Sequence, residues 1–195
     1  MAILERIKRF EVSTKIMNST KGNKNKSKLK IDDFSNWTSG DLLQNIVRGP
    51  FAEWLVHNAL DIDPGRHRDP WAQFDVSVRG KGLEIKAAAY FQRWEQNKPK
   101  ITFSIPINQR NGAGFIFCLL GKEDDWITRR EPDPLDMTEW CFWVVANNKL
   151  PKSKTIGLNP LKKLFGKSIQ FNQIHAEVNL LIDDYGKPEG KIFLP

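Results

Sequence analysis

The residues best suited to chemistry lie in FDVSVRGKGLEIKAAAYFQ, residues 74–92. Period-two alternation along a strand puts Glu84 and Lys86 on one face, and Leu83, Ile85 and Ala87 on the other. If RGKG forms the whole hairpin loop, Val78 pairs with Leu83, Asp75 lies opposite Lys86 and Ser77 opposite Glu84. Those four side chains then project from one face. Asp75 and Glu84 become diagonal neighbours, roughly 7–8 Å apart at the backbone, near enough for their carboxylates to share a divalent cation. Mg²⁺ is satisfied by one or two carboxylates together with water and phosphate oxygens. A lysine beside such an ion orients an attacking water or neutralises charge developing on a phosphate. These residue types suit phosphodiester hydrolysis.

Asp75, followed in the next strand by Glu84-Ile85-Lys86, resembles the D…(D/E)xK signature of the restriction-endonuclease-like PD-(D/E)xK nuclease superfamily, over about residues 50–120. The resemblance implies a metal-dependent DNA nuclease using Mg²⁺ or Mn²⁺. In it Asp75 and Glu84 are metal ligands and Lys86 is the catalytic lysine. Glu53, on the preceding helix, matches an acidic residue that members often add as a further ligand, and Gln92 matches a glutamine that some carry after the lysine. The chain departs from the pattern at Phe74, where the family has proline. The nearest proline, Pro70, follows Asp69 and makes Asp69 a rival ligand. Restriction-type enzymes are often dimers, so the resemblance also admits a homodimer.

Basic residues beside this segment are candidate DNA contacts: Arg66 and Arg68 in GRHRDP, and Arg79 and Lys81 in the hairpin turn. Tyr90, Phe91 and Trp94 suit either base stacking or the core. Three other readings stand beside a nuclease. The charges could be a solvated hairpin face, with Asp75 and Glu84 each paired to Lys86; the chain could bind nucleic acid without turnover; or its Trp-rich surface could bind a protein.

The elements that must position these residues follow from pattern. SGDLLQNIVRG reads as a helix with Ser39 as cap, and Pro50 suits the first turn of a second helix, PFAEWLVHNAL. In that helix Phe51, Leu55 and Ala59 share one face, and Glu53 and His57, four apart, share another. WAQFDVSV, LEIKAAAYFQRW and ITFSIPI read as three strands of a meander. GFIFCLLG reads as a central strand covered on both faces, EWCFWVVA as another strand, and NPLKKLF and FNQIHAEVNLLIDDY as helices. The expected fold is α/β (α+β): a central mixed β-sheet with an antiparallel meander, flanked by helices, restriction-endonuclease-like.

A 40% hydrophobic content with seven Trp and twelve Phe is enough for a sizeable core and excludes a chain disordered throughout. The net charge of +7 is localised, since residues 1–30 hold nine basic residues against two acidic ones. Residues 1–30 are therefore expected to be a flexible basic arm that favours a polyanion or stays solvated, with the nuclease-like α/β domain at 31–195. Cys118 and Cys141 lack the spacing of a zinc site or disulfide framework and are expected to be buried thiols. No stretch approaches the roughly 20 apolar residues of a membrane span, and the N-terminus lacks the apolar core of a signal peptide. A cytoplasmic protein with no membrane partner is expected.

Overall fold

The computed structural model of the chain describes residues 35, 37, 39–65, 68–92 and 98–185. The chain separates into two units, Met1–Leu42 and Leu43–Pro195, and the strands and helices named here belong to the second. The basic arm expected at residues 1–30 lies outside the described residues.

Asn45–Ala59 is one helix, α1, which runs through Pro50 instead of beginning there. Proline removes the bond that the Ile46 carbonyl would accept, a cost that is lower near a helix start and beside water. Ile46 is 77% exposed. Ala52, Leu55 and Val56 form the buried stripe at three- and four-residue spacing. The expected stripe was Phe51, Leu55 and Ala59; Phe51 and Ala59 are half-buried at its margins.

β1 (Val76–Val78) and β2 (Lys81–Ala89) form an antiparallel hairpin with Val76 opposite Leu83, Ser77 opposite Gly82 and Val78 opposite Lys81. The loop is thus Arg79-Gly80 alone, and the expected Val78–Leu83 pairing is replaced by one shifted by two residues. Arg79 and Gly80 both adopt positive φ, 49° and 75°, as a two-residue turn of the primed type requires. This turn matches strand twist, so Lys81 and Gly82 extend the ladder instead of closing it.

The main sheet has four strands in the order β1-β2-β4-β5, with β4 at Gly114–Leu120 and β5 at Trp140–Ala146. β2 runs parallel to β4, and β4 antiparallel to β5. The expected meander therefore stops after two strands. β3 (Thr102–Ser104) leaves the main sheet and pairs antiparallel with β6 (Thr155–Gly157). Every residue of β4 is buried, so it needs neighbours on both sides and cover on both faces. β3 buries only Phe103 and suits a small covering sheet, its ring 5.1 Å from that of Phe117.

Alternation along β4 divides the core into two layers. Ile116, Cys118 and Leu120 join α1 and α4 (Ile174–Asp184), the latter through Ile174, Val178 and Ile182. Phe115, Phe117 and Leu119 join β3, β6 and α3 (Leu158–Phe165), the last through Leu158 and Leu161. A short helix, α2 (Asp125–Thr128), lies between β4 and β5 in sequence. The result is a mixed four-stranded sheet flanked by helices. Cys118 is buried as expected, whereas Cys141 is half-buried; both are free thiols. Among the described residues no helix is long and apolar enough to cross a membrane.

Candidate active site

Carried one residue past the start of β1, the hairpin register sets Asp75 directly across from Glu84. The sequence reading had them diagonal. The shift is by two residues, so side-chain parity is kept and both carboxylates stand on one face. Lys86 shares that face. Its Nζ lies 2.8 Å from Glu84 Oε2 and 3.7 Å from Asp75 Oδ2. Asp75 is fixed from two sides: its Oδ2 accepts the Ile85 backbone N–H at 2.7 Å, and its backbone carbonyl lies 3.0 Å from His57 Nε2. His57 thus supports the site from α1.

Glu84 is only 4% exposed, so its carboxylate does not belong to a solvated hairpin face, although both pairings with Lys86 expected of such a face are present. Burial raises its carboxyl above the ordinary glutamate range, and the hydrogen bond and charge of Lys86 pull it partly back. Asp75 adds its negative charge to the upward side.

The three residues line a cavity of about 280 Å³ with Glu53, Arg68, Phe74, Asn108, Gln109 and Asn111 among its other walls. β1 is three residues long and stops short of Asp75, and Glu53 of α1 lines the same cavity. Glu53 is held by Arg68, whose Nε and Nη2 donate to its two carboxylate oxygens at 2.5 and 2.7 Å. Phe74 packs over the hairpin at Gly82, where a Cβ would meet its ring at 2.1 Å. A side chain at position 82 would therefore have to displace the Phe74 ring.

The remaining candidates are elsewhere. Gln92 lies beyond the end of β2, donates to the Ala89 carbonyl at 3.4 Å and does not line the cavity. Arg79 pairs with Asp183 at 2.8 Å, and Lys81 Nζ sits 5.0 Å from the Tyr185 ring centroid. Both side chains engage the C-terminal end of α4 and its following residue instead of the cavity. Asp69 caps the turn at the Trp71 N–H, 2.9 Å away, and is absent from the lining. Tyr90 and Phe91 belong to the core. Arg66 and Trp94 lie outside the described residues. Asn108, Gln109 and Asn111 escaped sequence reading, because nothing local links the INQRN loop to a hairpin some 25 residues earlier.

Among the described residues no group of three or more His, Cys, Asp or Glu side chains is arranged to hold a metal ion. The available set is the facing pair Asp75 and Glu84, which suits a Mg²⁺ that takes its other ligands from water and phosphate. Comparison with protein-family models, curated proteins and solved structures finds no match to this chain.

Proposed function

We propose that this chain is a metal-dependent DNA nuclease of the PD-(D/E)xK kind, a phosphodiester hydrolase whose site is Asp75, Glu84 and Lys86. The observation that carries the reading is the placement of Lys86 against two carboxylates that face one another across adjacent strands in a polar cavity. A purely structural ion pair does not need the second carboxylate, and burying Glu84 beside it costs free energy that a function can repay.

Asp75 and Glu84 would hold Mg²⁺ or Mn²⁺. When bound, the ion would supply the positive charge that a phosphate needs in a cavity lined by carboxylates. Lys86 orients the attacking water and balances charge that develops on the phosphate. The Ile85 N–H and His57 hold Asp75 in place, so little reorganisation is needed when substrate arrives. Glu53 is a reserve carboxylate, tied to Arg68.

The test is incubation of the purified chain with plasmid, linear duplex and single-stranded DNA in Mg²⁺, in Mn²⁺ and in EDTA. Cleavage with either ion and none in EDTA supports the proposal. No cleavage under any condition, together with retained DNA binding, would favour a binding module of the same fold. Neither binding nor cleavage would leave the protein-interaction reading.

A further inference from the structure

We infer that the substrate enters as an unpaired strand, with a base stacked on Trp71 and its neighbouring groups hydrogen-bonded by Asn108, Gln109 and Asn111. This inference rests on the nuclease reading for its setting, and it names the substrate class of the same site.

Trp71 is 90% exposed, an unusual position for the largest apolar side chain. It sits between two cavity-lining residues, Pro70 and Ala72. Its backbone is held in a tight turn, with its own N–H on Asp69 Oδ1 at 2.9 Å and the Ala72 N–H on the Asp69 carbonyl at 3.3 Å. Trp71 is next in sequence to cavity-lining residues on a held backbone and leaves its ring open to solvent, where it can serve as a stacking platform, since every base offers a π-face to it.

The amide wall is rigid for separate reasons. Arg110 turns away from the cavity and donates to the Ile105 carbonyl at 3.2 and 2.9 Å and to the Ser153 carbonyl at 2.5 Å. The side-chain amide of Asn147 donates to the carbonyls of Arg110 and Gly112. The Ala113 N–H bonds the Gly82 carbonyl at 2.7 Å, which ties the loop to β2. Yet the side chains of Asn108, Gln109 and Asn111 make no hydrogen bond with any described residue. The loop is fastened through Arg110, Asn147 and Ala113, and its three amides stand at the cavity wall available to a ligand.

Charge decides between strand forms. Among the described residues the charged cavity walls are Arg68 and Lys86 against Glu53, Asp75 and Glu84, a set that does not by itself attract phosphate. Recognition falls to groups that act on bases and sugars: amides that both donate and accept, and an aromatic face. In a duplex the base faces are stacked and their pairing edges occupied.

The experiment is fluorescence anisotropy of the full chain in EDTA at about 150 mM salt, which shortens the reach of exposed charge to about 8 Å. The probes are a short labelled single-stranded DNA, its matched duplex, and the same single strand carrying abasic sites. The expected result is single-strand affinity about tenfold above that for the duplex, an advantage lost on the abasic strand. Trp71→Ala should weaken single-strand binding by about tenfold while Trp71→Phe keeps most of it, as stacking on an aromatic ring predicts. Changing Asn108, Gln109 and Asn111 together to Ala should cost a similar factor without moving the unfolding midpoint. Equal affinity for single strand and duplex, no binding to either, or unchanged binding by Trp71→Ala would overturn the inference. The two proposals fail separately. Duplex cleavage in Mg²⁺ that Trp71→Ala leaves untouched keeps the nuclease and removes the stacking platform, whereas Trp71-dependent strand binding without cleavage does the reverse.

Discussion

Arg68 clasps both carboxylate oxygens of Glu53, joining the loop before β1 to α1 across one wall of the cavity. This fork geometry makes a strong, directional pair, and the bond with Glu53 raises the basicity of the guanidinium further. While it holds, Glu53 is not free to bind an ion. Arg68→Ala should therefore release a third carboxylate into the cavity and raise Mg²⁺ affinity by roughly fivefold, equivalent to about 1 kcal/mol. Titration calorimetry on the two proteins measures this. In the wild type Glu53→Gln should cost less metal affinity than Glu84→Gln, and an equal loss would mean that Arg68 does not sequester Glu53.

Phe74 and Gly82 are coupled by space. Gly82→Ala must displace the Phe74 ring, which a new Cβ would meet at 2.1 Å, and Phe74 immediately precedes Asp75. The substitution should cost about 1–3 kcal/mol, the usual penalty of overpacking, and should lower activity with it. Phe74→Ala added to Gly82→Ala should recover part of the loss. Urea unfolding of the four proteins gives the coupling energy, and additive effects would show that the ring moves aside freely.

The clustering of Asp75, Glu84 and Lys86 was legible because strand parity survives any even shift of register. The register itself was not, since it depended on Arg79 accepting a positive φ that non-glycine residues usually avoid. The central place of β4 could be read from its unbroken apolar run. The departure of β3 could not, because which strand sits beside β2 is decided by burial of β4 across the 24 residues of intervening chain, 90–113. Gln92 was expected only from the resemblance, which some members extend with a glutamine after the lysine; β2 ends at Ala89, and the Gln92 side chain turns back on the backbone instead.

Glu84 gives the site a pH signature. Burial raises its folded pKa above the ordinary 4.5, so the folded state holds the proton more tightly than the unfolded chain. Its stabilising contribution is whole below the ordinary value and is lost as pH rises through the raised folded value. Glu84→Gln cannot ionise and escapes that loss. In EDTA the melting temperature of Glu84→Gln relative to wild type should thus climb between about pH 4 and pH 8. Adding Mg²⁺ at pH 8 should stabilise the wild type but scarcely the variant, through preferential binding to the folded state. A relative melting temperature that is flat across this range would mean that the carboxyl titrates alike in both states.

Lys86 separates catalysis from scaffolding, because its amino group touches both carboxylates while its role in the proposed reaction is toward water and phosphate. On an exposed strand such pairs contribute at most about 1 kcal/mol. Here the side chains of Lys86, Asp75 and Glu84 are 18%, 20% and 5% exposed, so Lys86→Ala leaves two poorly solvated carboxylates face to face. The metal-free variant should lose about 1–3 kcal/mol, the range for leaving a buried polar group without its partner. Mg²⁺ should restore much of that, since the ion replaces the missing cation between the same oxygens. Metal affinity should therefore stay equal or rise, while cleavage disappears because no group remains to position the water and balance the phosphate. Glu84→Ala should instead lose metal affinity and cleavage together, one carboxylate being a poor Mg²⁺ site. Melting curves with and without Mg²⁺, calorimetric titration and cleavage of duplex and single-stranded DNA on the three proteins distinguish the patterns. Metal-stimulated cleavage by Lys86→Ala at the wild-type rate would remove Lys86 from the reaction, and with it the assignment of the motif.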